Sequence, residues 1–275
     1  MASIKSVYTK PAGALDRLGE ELAFYIRALM ASPRSIKRYP REILRILAEV
    51  TLGSGALAVI GGTVGVILAM TFFTGAQVGL SGYAALDQLG TAPFAGFVSA
   101  YFNTREIAPL VAGIALAATV GCGFTAQLGA MRISEEIDAL EVMAIPSMPF
   151  LVTTRIVGGL IAIIPLYVVG LLSSYFATRL TVTQFFGQSA GTYDHYFNQF
   201  LPPGDVLWSF GKVLVFAVAV ILIHCYHGYN AGGGPAGVGV AVGRAVRTSI
   251  VAVNVIDLFL SMAIWGSSTT VRLAG

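Results

Sequence analysis

Five long apolar stretches constrain this chain more than any other feature of its sequence. Each is close to the length of about 20 apolar residues that a helix needs to cross a bilayer. Charged residues make up 11% of the chain, whereas a soluble domain has about 25%. The chain is therefore predicted to be an all-α polytopic membrane protein. Its five predicted transmembrane helices cover residues 51–76, 105–130, 149–177, 206–227 and 248–268.

Two segments outside these stretches predict further elements. Residues 77–104 are moderately apolar but interrupted by glycine and proline, which favours a re-entrant or surface hairpin after the first span. Residues 12–31 have apolar side chains on one helical face and charges elsewhere, the pattern of an N-terminal amphipathic helix in the membrane interface. We therefore divide the chain into a cytoplasmic tail with this helix, residues 1–50, and a transmembrane domain, residues 51–275.

Lysine and arginine residues predict the orientation of the chain. With the N-terminus inside, thirteen of the seventeen fall on the inner side, and cytoplasmic segments of membrane proteins carry the excess of positive charge. Because the number of spans is odd, the C-terminus is expected on the outer side. The basic residues at positions 34–45 suit anionic headgroups, although an ordinary solvated run of charge has the same composition.

An acidic segment between the second and third spans gives the clearest indication of function. Four of the fourteen carboxylates lie within seven consecutive residues. Helical spacing brings Glu135, Asp138 and Glu141 to one side and apolar side chains to the other. Ser134 is expected to cap the first turn. An amphipathic cytoplasmic helix over residues 134–143 is predicted, with its acids turned toward another protein.

Four charged residues are predicted to lie within the membrane, where each is costly unless it is paired or faces a cavity. Arg105 and Glu106 open the second predicted span, Lys212 lies in the fourth and Asp257 near the middle of the fifth. We expect Lys212 to pair with Asp257, directly or through Glu106. Whether such charges gate transport or only fix helix packing stays open at this point.

No pattern typical of a catalytic or metal site is present. The sole Gly-Lys pair, at 211–212, is followed by valine inside a span, so a nucleotide-binding P-loop is excluded. The glycine-rich run at 232–239 follows a membrane helix and indicates a helix end and a loop. His224 and His227 share a helix face, but two ligands do not make a metal site. The chain is predicted not to be an enzyme and to bind no metal.

Three segments carry a resemblance to a known family. They are Arg105-Glu106-Ile107-Ala108-Pro109-Leu110, the stretch from Gln127 to Met143 with its string Glu-Glu-Ile-Asp-Ala-Leu-Glu-Val-Met, and His227-Gly228-Tyr229-Asn230 with the loop that follows. With them, residues 40–270 resemble the MlaE/YrbE family of ABC-transporter permeases. The outer segments Gly191-Thr192-Tyr193-Asp194-His195-Tyr196-Phe197 and Leu207-Trp208-Ser209-Phe210 are most similar to actinobacterial YrbE permeases that work with Mce proteins.

The resemblance implies a permease subunit of an ATP-driven lipid transporter in the plasma (inner) membrane, with a substrate of the fatty acid, sterol or phospholipid class. No cofactor is expected in this chain, because ATP and Mg²⁺ would bind to a separate cytoplasmic ABC ATPase. Mce-type proteins would contact the outer side. The intramembrane charges named above match polar positions of the family. Coupling to the ATPase is assigned to Arg132, Glu135, Glu136, Asp138 and Glu141.

One departure from the family pattern bears on the partner chain. Family members commonly have an arginine in a Gly-Arg-Val-Gly-like stretch of the second span, and Ala118-Thr119-Val120-Gly121 has none. This favours a heterodimer with a related permease over a homodimer. The residues proposed to line the lipid path belong to the first span and are Val66, Leu68, Met70, Phe72 and Phe73.

Two other functions are weighed against lipid transport. An ion-coupled secondary transporter of hydrophobic solutes would show internal repeats and broken helices with charges at the midplane, and no clear repeat is found. An intramembrane enzyme would need a nucleophile or ligand set in a wet cavity, for which His224, Cys225 and His227 are the available candidates.

Overall fold

The computed structural model of the chain describes residues 5–52 and 62–266. These residues are almost entirely helical and include no strand, as the sequence predicts. The helices in chain order are α1 (Lys5–Met30), α2 (Ser32–Arg38), α3 (Pro40–Leu52), α4 (Thr63–Gln88), α5 (Ala92–Ile133), α6 (Glu136–Val142), α7 (Met148–Phe185), α8 (Ala190–Gln199), α9 (Pro203–Tyr229) and α10 (Gly234–Trp265).

Five of the described helices are long and apolar enough to cross a membrane, namely α4, α5, α7, α9 and α10. The number is the predicted one, but the bounds differ, most for the first two spans and the fifth. α10 begins at Gly234 rather than at residue 248, so most of the glycine-rich run at 232–239, predicted as a helix end and loop, is the first part of this helix. α4 begins at Thr63 and runs to Gln88, while residues 53–61 of the predicted first span lie outside the described residues. α5 has 42 residues, or about 60 Å at 1.5 Å per residue, which is about twice the hydrocarbon thickness of a bilayer.

Residues 77–104 form a helical hairpin that continues the first two spans, and its re-entrant or surface position stays a prediction. These residues form the end of α4 and the beginning of α5, which a short turn joins. Gly79, Gly82 and Gly96 of this segment are contact points between helices, whereas Gly90, with a φ of 71° and open space around it, lies in the turn. A Cβ atom on Gly82 would lie 2.6 Å from a methyl of Val98, and one on Gly96 would lie 2.2 Å from the carbonyl oxygen of Tyr193. Small residues permit such approaches without ending a helix.

The centre of the bundle is made by α5, α7 and α9. About half of the residues in their most apolar parts are buried, against 22% in α4 and 17% in α10. α4 packs along α7, where a Cβ atom on Gly75 would lie 2.5 Å from the backbone oxygen of Ser174. Thr178 Oγ1 donates to the Gly75 carbonyl at 2.7 Å, and Asn103 Nδ2 donates to Thr178 Oγ1 at 2.8 Å. These contacts join three of the spans.

The N-terminal helix α1 lies against α7 and α9 at the end of the bundle that also carries α6. Phe24 and Ala28 are buried there, and the Phe24 ring contacts that of Tyr226 at 5.4 Å between centroids. On another face of α1, the side chains of Leu18, Leu22 and Ile26 are more than half exposed. Such a stripe is typical of a helix in a membrane interface, and that position for α1 stays a prediction.

Candidate functional site

The acidic segment forms α6, a helix of seven residues that two unusual backbone conformations delimit. Glu135, before the helix, has a φ of 61°, and Ala144, after it, has a φ of 56°. The left-handed region costs residues other than glycine roughly 1 kcal/mol or more, and strain of this kind clusters at functional sites. The expected cap by Ser134 is wrong, because this residue ends α5 and its hydroxyl donates to the Ala130 carbonyl at 2.9 Å.

One face of α6 attaches the segment to the bundle. Ile137 is completely buried and Leu140 packs against the core. Glu141 accepts a hydrogen bond from Ser147 Oγ at 2.7 Å, and the Ser147 hydroxyl lies 2.8 Å from the hydroxyl of Tyr229 at the end of α9. Glu141 is exposed and also takes part in the attachment of α6, and its role in coupling stays a prediction.

The opposite side of the segment is exposed and mixes acids with apolar side chains. Glu135 and Glu136 are exposed, and Asp138 forms an exposed ion pair with Arg132 at 2.7 Å. Val142 is 89% exposed and Met143 is 61% exposed. An exposed apolar tip beside carboxylates has the composition of a contact surface for another protein.

A buried cluster of charges joins α5, α9 and α10 in the opposite half of the bundle. The Lys212 side chain is fully buried. Its Nζ lies 2.7 Å from Oδ1 of Asp257 and 3.3 Å from Oε2 of Glu106, so the structure brings the expected pair together. Nζ also donates to Ser261 Oγ at 2.8 Å, and Ser261 Oγ donates to Glu106 Oε1 at 2.8 Å.

Local backbone chemistry explains part of this cluster. Arg105 and Glu106 lie in a π-helical stretch of α5, Ser99–Ile107, a geometry that often marks functional sites. Pro109 has no N–H group to bond the carbonyl of Arg105 four residues earlier. Lys212 Nζ donates to that carbonyl at 2.7 Å. The ammonium thus satisfies a backbone acceptor as well as the carboxylates.

Arg105 has a carboxylate partner that the sequence reasoning missed. Its Nε donates to Oδ2 of Asp205 at 2.7 Å, and Trp265 Nε1 donates to Oδ1 of the same residue at 3.0 Å. The guanidinium also lies 4.1 Å from the centroid of the Tyr101 ring. Asp205 stands in the first turn of α9, where a carboxylate suits the helix dipole. That position was the available signal, but it does not identify the partner.

A second polar cluster, also missed from sequence, joins α3, α5 and α7 in the half of the bundle that carries α6. Arg155 is 6% exposed. Its Nη1 donates to the Leu151 carbonyl at 2.8 Å and its Nη2 to Gln127 Oε1 at 3.2 Å, while Gln127 donates to Glu49. Glu49, Gln127 and Thr119 line a cavity of about 120 Å³ beside it.

The two histidines near the end of α9 have different surroundings. His224 is completely buried. Its Nδ1 lies 2.7 Å from Thr125 Oγ1 and its Nε2 lies 3.1 Å from Ser249 Oγ, so it links α5, α9 and α10. His227 is half-buried and lines a cavity beside α1. Within residues 5–52 and 62–266, no group of three His, Cys, Asp or Glu side chains is arranged to hold a metal ion.

Comparison with known proteins identifies the family. The family model described as Permease MlaE matches residues 53–263. This chain belongs to the MlaE permease family. Over 246 residues it is 28% identical to a probable ABC transporter permease protein of Rickettsia bellii, a match that covers 89% of this chain and 92% of that protein.

Two further proteins, one bacterial and one from a plant chloroplast, are similar to this MlaE permease. Over 255 residues it is 27% identical to the intermembrane phospholipid transport system permease protein MlaE of Haemophilus influenzae, which covers 92% of this chain and 93% of that protein. It is 29% identical over 203 residues to the chloroplastic protein TRIGALACTOSYLDIACYLGLYCEROL 1 of Arabidopsis thaliana, with 72% and 57% covered. Family membership makes the chain a multi-pass ABC-type permease, a transport subunit rather than an enzyme.

The residues proposed for the lipid path of this MlaE permease all lie on α4 but differ in exposure. Leu68 is 37% exposed and Phe73 is 71% exposed, on the outside of the single chain. Val66 and Met70 pack against the core, and the Phe72 ring contacts that of Phe73. Their role in the lipid path stays a prediction.

Proposed function

We propose that this MlaE permease is the membrane subunit of an ATP-driven lipid transporter, and that a separate cytoplasmic ATPase binds ATP and Mg²⁺. Phospholipid is the favoured substrate class, since the Haemophilus influenzae relative is named for intermembrane phospholipid transport. Fatty acids and sterols are the alternatives within the same function. The observation that carries the proposal is the rigidly attached, acidic and apolar projection formed by α6.

The contacts of α6 support its role as the coupling helix. The exposed acids Glu135, Glu136 and Asp138 would meet basic residues of an ATPase groove, and Val142 and Met143 would fill its apolar part. Burying such apolar tips contributes about 25 cal/mol per Å² of apolar surface. Complementary charge adds specificity and a faster encounter.

Two helices, α5 and α9, connect α6 to the buried charges around Lys212. α5 ends immediately before α6 and also carries Arg105 and Glu106. α9 begins near Asp205 and ends at Tyr229, where the Ser147 hydroxyl joins it to Glu141. Packed helices move as rigid bodies rather than by continuous deformation. A push on α6 would therefore shift α5 against α9 and strain the contacts of Lys212.

The remaining partners and the orientation belong to the same proposal. The N-terminus and α6 lie on the cytoplasmic side and the C-terminus on the outer side. Exposed aromatic side chains at the opposite end of the bundle, Phe185 and Trp208, offer a surface for Mce-type proteins. A second, related YrbE permease of the actinobacterial kind would cover the exposed faces of α4 and α10.

Co-purification with the ATPase tests this function. In the complex isolated in mild detergent, replacing both Glu135 and Asp138 by lysine should lower the recovered ATPase by about tenfold or more, because like charges would then face each other. The matched control is Glu20→Lys, an exposed acid on α1. Equal recovery of ATPase with the double variant would contradict the proposal.

An ion-coupled secondary transporter is the second candidate, favoured by the buried cluster around Lys212. The two candidates predict different energy sources. If reconstituted vesicles with an ion gradient and no ATPase transport lipid, the secondary transporter is correct. Transport that requires both the ATPase and ATP supports the ABC-type function.

A further inference from the structure

A cavity of about 770 Å³ lies beside α1, at the end of the bundle that carries α6. Its volume falls in the usual range of about 300–1,000 Å³ for small-molecule sites. Its lining includes none of the exposed residues of α6 and none of the buried charge cluster. The lining comes from α1, the end of α9, the glycine-rich loop at residues 230–233 and the first turns of α10, and includes Glu21, Tyr226, His227, Asn230, Gly237 and Arg244.

The walls of this cavity are held by specific contacts. The Phe24 ring contacts the rings of Tyr226 and Tyr229, with centroids 5.4 and 5.7 Å apart. The Tyr25 hydroxyl donates to the carboxylate of Glu21. Burial, and next the hydrogen bond to Glu21, raises the pKa of Tyr25, which keeps this phenol protonated as a donor. The carboxylate is therefore fixed at the edge of the cavity.

The glycine-rich loop forms the facing wall through a close backbone approach. A Cβ atom on Gly237 would lie 1.8 Å from the carbonyl oxygen of Gly232, so a side chain at Gly237 would displace the loop. Gly233 and Gly234 have φ values of 83° and 71°, which favour glycine. The loop leads into α10, whose positive dipole end adds to the charge of Arg244 on this side.

The lining combines groups for an anion with a group for a cation. Arg244, His227 and Asn230 supply donors that suit a phosphodiester. Glu21 on α1 supplies a carboxylate, and Tyr226 supplies an aromatic surface, both of which attract an ammonium group. A zwitterion with phosphate and amine a few ångströms apart matches this arrangement better than a simple anion, which Glu21 would repel.

The position of the cavity indicates where such a zwitterion comes from. α1 exposes the apolar side chains of Leu18, Leu22 and Ile26 at a spacing of four residues, as does a helix half-immersed in a bilayer surface. With α1 at its predicted position in the membrane interface, the cavity lies at the level of lipid headgroups. We propose that it binds the headgroup of an amine-containing phospholipid, with the phosphodiester at Arg244 and the ammonium at Glu21.

Lipid binding to the complex isolated in detergent tests this site. The probes are a phosphatidylethanolamine, a phosphatidylglycerol and inorganic phosphate, each titrated with bound molecules counted by native mass spectrometry. Arg244→Gln should weaken binding of both lipids about tenfold, the loss expected for a charge-assisted hydrogen bond. Glu21→Gln should weaken binding of the phosphatidylethanolamine about tenfold and strengthen binding of the anionic phosphatidylglycerol, which Glu21 repels.

The matched control is Arg247→Gln. Arg247 is an exposed arginine of α10, three residues after Arg244 and outside the lining, so this variant should bind both lipids as tightly as the unaltered chain does. Thermal unfolding of every variant in the same detergent shows whether the variant is folded. If Arg244→Gln does not fold, Arg244→Lys is used in its place. Unchanged lipid binding in folded Arg244 and Glu21 variants would overturn the proposal. Displacement of the lipid by millimolar inorganic phosphate would assign the site to a free anion instead.

Discussion

Replacing Lys212 by methionine should destabilise the protein strongly, because it removes a buried charge and leaves its partners in place. Lys212 is completely buried, and the side chain of Asp257 is only 9% exposed. Methionine approximates the length of the lysine stem, so the change in packing is small. What is lost is an ammonium that contacts two carboxylates, a hydroxyl and the Arg105 carbonyl.

The magnitude follows from the burial of each partner. Breaking a buried pair from one side costs about 3–5 kcal/mol. Glu106 adds little, since 35% of its side chain is exposed and solvent screens it. At about 2–4 °C per kcal/mol for a chain of this size, the melting midpoint should fall by roughly 10 °C. The assay is thermal unfolding in one detergent, followed by the loss of a folded, monodisperse species.

A second variant separates the charge from the packing. Adding Asp257→Asn to Lys212→Met removes the uncompensated carboxylate, so the double variant should recover at least half of the lost stability. Lys37→Met, on an exposed position of α2, serves as the control and should leave the midpoint unchanged. The reasoning is refuted if Lys212→Met melts with the unaltered chain, or if the double variant is no more stable than the single one.

Two further substitutions address helix packing and coupling. Gly75→Val should prevent the close approach of α4 to Ser174 and yield little folded protein. Gly211→Ala is the control and should express normally, because there is open space around its Cβ position. Equal yields of folded protein from the two variants would contradict the packing. Tyr229→Phe removes the hydroxyl that joins α9 to Ser147, at a cost of about 1 kcal/mol in stability. In the reconstituted complex ATP hydrolysis should persist while lipid transport falls severalfold, and unchanged transport would rule out this link.

Hydropathy and spacing predicted much of the architecture, because both are local properties of the chain. The number of spans, the position of the acidic segment and the depth of Lys212 relative to Asp257 all depend on residues close in sequence or on a common bilayer. The same reasoning took every glycine of residues 77–104 as an interruption, whereas of these glycines Gly90 lies in the turn between the helices. Gly82 and Gly96 contact neighbouring helices, and sequence alone does not separate such contacts from helix breaks.

The sequence by itself determined that this chain crosses a membrane, that it has no nucleotide-binding loop and that an acidic helix lies between two spans. Only the tertiary structure decided that Asp205 pairs with Arg105, that His224 links α5, α9 and α10, and that Glu141 attaches α6 to α9. The physical reason is that partners of a buried polar group come from helices distant in sequence. Their identity depends on which helix faces meet, and helix packing sets those faces only after the spans have assembled.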